Sequence, residues 1–187
     1  MKQHQGFTLV ELLVTLIVIA IVAMMGAPSF RNVMIGTQID SNLNLVRSSL
    51  IYARSEAVTK STPVSVCMTA DNASCVTAGA ANWAGGWMVW LDLDGDGIVD
   101  GDPVACADGV DDCVLRVYGP LEGGSTLTET NGDYVLTYSP RGQLVRPTAN
   151  LISFQMRIEN CGPGQERTID VNRVGRVGTD TGVGCDA

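Results

Sequence analysis

Carboxylates alternate along Asp92-Leu93-Asp94-Gly95-Asp96-Gly97-Ile98-Val99-Asp100, the spacing at which the first half of an EF-hand loop turns oxygen ligands toward a hard cation such as calcium. Asp92, Asp94, Asp96 and Asp100 are therefore candidate calcium ligands. Position twelve of such a loop is Pro103 instead of a bidentate Glu, and no flanking helices are expected, so an Asp/Gly-rich turn between strands is the competing reading. Six cysteines form a second group. Joining neighbours, Cys67 with Cys75, Cys106 with Cys113 and Cys161 with Cys185, is the simplest of the fifteen connectivities that six cysteines allow. Each bond would restrict the unfolded chain and stabilise the fold by roughly 2 to 4 kcal/mol. There is no Cys-x-x-Cys, so the spacings suit staples better than a metal or redox centre. The one histidine, His4, stands in the short polar start ahead of the apolar run, and the rest of the chain has none to build a Ser-His-Asp or Cys-His arrangement. No carboxylate pair stands out as a glycosidase site. The chain reads as a non-enzyme without an organic cofactor.

Glu11 is the residue that most needs an explanation. It sits at the head of an apolar run, Leu12 to Phe30, which holds 19 residues without a charge. As a helix at about 1.5 Å per residue, that run is long enough to cross a bilayer core of about 30 Å. An unpaired carboxylate in such a helix costs at least a few kcal/mol, so a partner is expected, and a neighbouring subunit's N-terminal amine would serve. The residues before it, Met1-Lys2-Gln3-His4-Gln5-Gly6, are short and polar. A secretory signal would be cut after its apolar stretch, whereas the apparent cleavage point here comes before it. Lys2 on the leading side agrees with an N-terminus kept in the cytoplasm. Pro28 follows Gly26 near the end of the run, where a missing backbone donor can kink or open the helix.

These residues must be held by the rest of the chain, and its pattern changes after Arg31. Ile35, Ile39, Leu43, Val46, Leu50, Ala53 and Ala57 recur three or four residues apart, which is one stripe of an amphipathic helix packing on a sheet. Pro63 ends it. Short strands between turns follow, expected at Val64 to Met68, Gly86 to Leu91, Val114 to Tyr118, Tyr134 to Tyr138, Ser153 to Ile158 and Thr168 to Val171. Thr69 to Ala84 and Gly119 to Asp133 read as loops. Trp87 and Trp90 fall on opposite faces of one strand, so one belongs to the core and the other to the core or an interface, and Trp83 raises the same choice. The expected fold is α+β: a long N-terminal α-helix, membrane-spanning in its first half, on a largely antiparallel β-sheet head with disulfide-stapled loops. All cysteines lie beyond residue 66, which suits an exported head in an oxidising compartment. A net charge of -8 repels polyanions at long range.

Gly6-Phe7-Thr8-Leu9-Val10-Glu11-Leu12 resembles the class III signal of type IV pilins and type II secretion pseudopilins. The resemblance implies that a prepilin peptidase cuts between Gly6 and Phe7, that Phe7 is N-methylated, and that Glu11 recruits or registers the next subunit. Tyr52-Ala53-Arg54-Ser55-Glu56-Ala57-Val58, the strand Gly86-Trp87-Met88-Val89-Trp90-Leu91-Asp92, and the turns Tyr138-Ser139-Pro140-Arg141-Gly142 and Gly175-Arg176-Val177 resemble the GspH/FimT family, and within it FimU-type minor pilins. That implies a leader at 1–6, a membrane and filament-core helix at 7–30, and the amphipathic half-helix with its β-rich head at 31–187. It also implies a minor pilin that primes or caps the pilus and links other minor pilins to the major fibre. Its partners would be the prepilin peptidase, the assembly platform protein, other pilins and, before assembly, inner-membrane lipid, with the head in the periplasm and later at the cell surface. A minor pseudopilin of type II secretion is the alternative. A DNA-binding competence pilin is a third, because some FimT relatives bind DNA through Gly-Arg-x-Arg. Here Gly175-Arg176-Val177-Gly178 lacks the second arginine, leaving Arg167, Arg173 and Arg176 as a candidate patch for salt-sensitive phosphate contacts, set against a plain solvated surface. Relatives staple the C-terminal loop as Cys161 with Cys185 would.

Overall fold

Thr8 caps one long helix. Its Oγ1 accepts the amide of Glu11 at 3.2 Å, and Thr8-Leu9-Val10-Glu11 sets an acid in the first turn, beside the positive end of the helix dipole. The helix, α1, covers Leu9–Lys60, 52 residues or about 78 Å at 1.5 Å each, and its backbone stays helical through position 28. It stops where Ser61 turns into the left-handed region at φ 52°, two residues before Pro63. The structure is a computed structural model that describes residues 8–79, 81–104, 111–159, 161–162, 164–181 and 185, without the side chains of 25–29 and 31–32.

Nine strands follow α1 among the described residues: β1 Val64–Met68, β2 Trp87–Leu91, β3 Cys113–Tyr118, β4 Ser125–Glu129, β5 Val135–Tyr138, β6 Leu144–Arg146, β7 Leu151–Ile158, β8 Arg167–Asn172 and β9 Val177–Thr181. They form two sheets, ordered β3-β2-β1-β5-β6 and β4-β7-β8-β9, and every pairing is antiparallel. The sheets share one core beneath the second half of α1. Ile39, Leu43, Val46, Leu50, Ala53 and Ala57 of the stripe are buried against Val66, Trp87, Leu136, Phe154 and Ile169. Polar residues at the edges of the stripe tie it sideways. Asn42 Nδ2 donates to Glu122 O at 3.0 Å and Ser125 Oγ at 2.7 Å, and Arg167 Nε donates to Asp40 Oδ1 at 3.0 Å.

Three strands depart from the sequence expectation. β4 lies inside the stretch 119–133 that reads as loop, because its buried positions Ser125, Leu127 and Glu129 include only one apolar residue. β6 has three residues, and β9 exposes most of its side chains, so neither carries a clear period-two signal. Trp87 and Trp90 do face opposite sides, but both are buried, and so is Trp83. No tryptophan is left for an interface: β1 and β2 are covered on both faces, and Trp90 packs with Cys67 and Met88 under the outer loops.

Candidate functional site

The first half of α1 leaves the head. Large apolar residues from Leu9 to Met24 are all more than half exposed, from 51% at Ile17 to 80% at Leu9, and Glu11 is the one charged residue among them. Gly6 and Phe7 lie outside the described residues. Among the described residues no helix is long and apolar enough to cross a membrane, since the stretch expected to span, Leu12 to Phe30, includes 25–29, whose side chains, Pro28 among them, are outside the description.

At the other end of α1, three of the head motifs named above meet, those at 52–58, 138–142 and 175–177. Arg54, on the flank of the buried stripe, donates from Nε to Gly142 O at 2.8 Å and from Nη2 to Val174 O at 3.0 Å. One guanidinium thus clamps turn 139–142 to turn 173–176. Gly175 has φ +76°, and a Cβ there would stand 2.1 Å from Gly142 O, so the two backbones meet where only glycine fits. Leu144 N also donates to Arg173 O at 3.0 Å, joining the two sheets.

This geometry corrects the arginine patch. Arg167 opens β8 and Arg173 follows its end, about 20 Å away at some 3.3 Å per residue. Arg167 is occupied by Asp40 and by the carbonyls of Gly164 and Glu166. Arg173 and Arg176 instead share a corner with Arg54 and Arg141. Arg54 escaped the sequence reading as a site residue because its place off the apolar stripe looked solvated.

The aspartate loop joins β2 to β3 and folds over the outer face of the first sheet. Asp92 is fully buried: Oδ1 accepts Gly95 N at 2.9 Å, and Oδ2 accepts Gly97 N at 3.0 Å and the Ser65 hydroxyl. Burial pushes its carboxyl above the usual range and the charge of Asp112 adds to this, while the Ser65 hydroxyl and the two amides pull the other way. Asp112, unmarked in the sequence, braces both ends of the loop by accepting Leu93 N at 2.9 Å and Asp100 N at 3.0 Å. Asp92, Asp94 and Asp96 bring ligand oxygens within 4.8 Å of one another, whereas Asp100 stands outside that group. The four-ligand set thus reduces to three, all of which already accept backbone amides. Those three have the oxygen chemistry to hold calcium.

Cys67–Cys75 and Cys161–Cys185 are disulfides with Cα separations of 5.6 Å. The first pins the loop after β1 over Trp90, and the second holds Cys185 near the end of β7. Cys113 is disulfide-bonded as well, and its expected partner Cys106 lies outside the described residues.

A helix bare and apolar in one half and rooted in a stapled β head in the other defines a pilin-like filament subunit. The family model for type II transport protein GspH matches residues 42–175, and that for the prokaryotic N-terminal methylation motif matches residues 1–27. The chain belongs to the GspH family and is a minor pilin or pseudopilin, a structural subunit and not an enzyme. Its fold is similar to that of the type IV minor pilin FimU of Pseudomonas aeruginosa strain PAO1. One crystal form superposes with a TM-score of 0.57 at 21% identity, covering 80% of this chain and 96% of that one. A second gives 0.55 at 21% identity, covering 79% and 99%. No curated protein matches the chain.

Proposed function

We propose that the chain is a minor type IV pilin, cut between Gly6 and Phe7, N-methylated on Phe7, and held in the inner membrane by α1 with its N-terminus in the cytoplasm and its head in the periplasm. It is then built into a pilus, where it primes or caps assembly and joins other minor pilins to the major fibre. The observation that carries this reading is the exposed apolar half of α1. A helix apolar all round needs lipid or other helices as its surroundings, and no described part of the chain's own head covers it. The methylation motif over residues 1–27 supports processing by a prepilin peptidase. Glu11 starts beside the helix's own positive end, and on assembly it meets the N-terminal amine of the next subunit, which keeps its charge paired.

A minor pseudopilin of type II secretion is the second reading, favoured by the description of the matching family as a transport protein. Deletion of the chain separates the two. Loss of surface pili with secretion intact supports the pilus role, and the reverse supports the pseudopilin. For Glu11, Glu11→Ala should be processed and folded yet fall at least about tenfold in the filament fraction, as expected for losing a charge pair in an apolar setting. Undiminished incorporation removes Glu11 from assembly.

A further inference from the structure

The corner built by Arg54 has features that its clamping role leaves unused. Arg141 flanks Gly142, and Arg173 and Arg176 flank the 174–175 pair, so three more arginines surround the point where the two turns touch. All three are exposed, and none is in an ion pair among the described residues. The ion pairs that do form are Lys60 with Glu56, Arg157 with Glu166 and Arg167 with Asp40. In a chain of net charge -8 with carboxylates to spare, three unpaired guanidinium groups around one contact are a local reversal of sign. Asp170 lines a shallow cleft of about 270 Å³ with Arg176 and already accepts the Ser153 hydroxyl at 2.7 Å.

The corner also has an apolar centre. Val174 is 57% exposed at the tip of the 173–176 turn, and Val58 of α1, 50% exposed, reaches to Gly142. Its backbone is rigid, since Arg54 holds both turns and Gly175 accepts no side chain without moving Gly142. An apolar centre with a cationic rim on a fixed scaffold has the anatomy of a protein-binding surface, and arginine is the cation that protein interfaces favour. A polyphosphate would find valines at the middle of the site and an acidic field around it.

We propose that this corner docks an acidic segment, with an apolar residue between its carboxylates, on the head of a neighbouring filament subunit. The inference rests on the filament reading and deepens it by giving one subunit contact its chemistry. The valines bury against the partner's apolar residue, while Arg141, Arg173 and Arg176 pair with the flanking carboxylates and select against neutral or basic neighbours.

The test uses the full-length chain in its own cells, with a photo-crosslinking residue in place of Val174 and sequencing of the captured peptide. The expected capture is a segment with at least two Asp or Glu residues from a protein that carries its own Gly-Phe-x-x-x-Glu start. Arg141→Glu combined with Arg176→Glu should lower the yield at least about tenfold, because close interfacial charge pairs turned repulsive cost that much or more. Replacing the captured carboxylates with Lys should restore it. Neither Arg141 nor Arg176 makes a side-chain hydrogen bond among the described residues, so the double variant should melt as the parent does. Arg173, which donates to Thr148 O at 2.6 Å, and Arg54 are left intact. A yield indifferent to the charge reversal, capture of a neutral or basic peptide, or nucleic acid as the sole adduct would overturn the proposal. A processed chain present in filaments but never linked at Val174 fails this inference alone, whereas an unprocessed chain fails the filament reading as well.

Discussion

The two halves of α1 share one unbroken backbone and have opposite surroundings. From Ile39 to Ala57 a stripe of six aliphatic residues is sealed by the chain's own sheets, and polar neighbours such as Asn42 and Arg54 bond to loops on either side. From Leu9 to Met24 no described part of the head covers the helix, and every large apolar side chain is more than half exposed. The second half is specified within the molecule and the first half by what lies outside it. Head stability and filament entry are therefore separable properties of one helix, and each substitution below falls on one side of that division.

Gly6→Ala should have the largest effect. It leaves an unprocessed precursor on immunoblots and removes the chain from filaments, with no change in head melting; normal processing would break the class III assignment. Next, Leu50→Ala in the packed half should cost about 2 to 5 kcal/mol in chemical denaturation, as for other large-to-small core changes. Ile17→Ala in the bare half should cost under about 0.5 kcal/mol in the same assay. Equal losses at both positions would erase the comparison. Arg54→Ala should cost about 2 to 3 kcal/mol, since it removes two charge-assisted bonds between turns that share no other side-chain hydrogen bond among the described residues.

Glu129 sharpens the comparison through pH. It is buried at the end of β4, where Oε2 accepts Asn131 N at 2.8 Å and Asp133 N at 2.7 Å while Oε1 has no partner. Burial holds its carboxyl above the usual range, and the Asp133 amide opposes that while the Asp133 charge adds to it. A folded-state pKa above the unfolded value of about 4.3 means a contribution present in full below that value and lost as pH rises through the folded one. Mild acidification toward the unfolded value should thus favour the head as far as Glu129 is concerned. Glu129→Gln should raise the melting midpoint at neutral pH by about 2 to 4 °C and flatten its pH dependence. The aspartate loop divides in the same way between a buried and an exposed carboxylate. Asp92→Ala should destabilise by about 1 to 3 kcal/mol through lost buried hydrogen bonds, and Asp94→Ala by less than about 0.5. A melting rise with calcium that Asp94→Ala abolishes would turn the brace into a cation site.

The sequence made the helix legible because its two halves carry different and strong signals, an uncharged run and then a spacing of three and four. Strands with β-branched or aromatic runs, such as Val64–Met68, were equally plain. The polar strands were not, because β4 buries a serine bonded to Asn42 of α1 and a glutamate bonded to amides of the turn that follows it. Site residues divided similarly. Cysteine pairing could be approached from spacing, whereas the Arg54 clamp depends on two turns that lie 88 and 120 residues further along the chain. Asp112 was hidden because a buried carboxylate satisfied by backbone amides looks, in sequence, like any acidic residue before a strand.

The central claim is that α1 enters a filament after its leader is removed. Intact-mass and fragment analysis of the chain recovered from sheared surface filaments tests it most directly. The account predicts a polypeptide that begins at Phe7 with an added N-methyl group and retains all of α1. A chain that begins at Met1, or one cut beyond the apolar run, would contradict it.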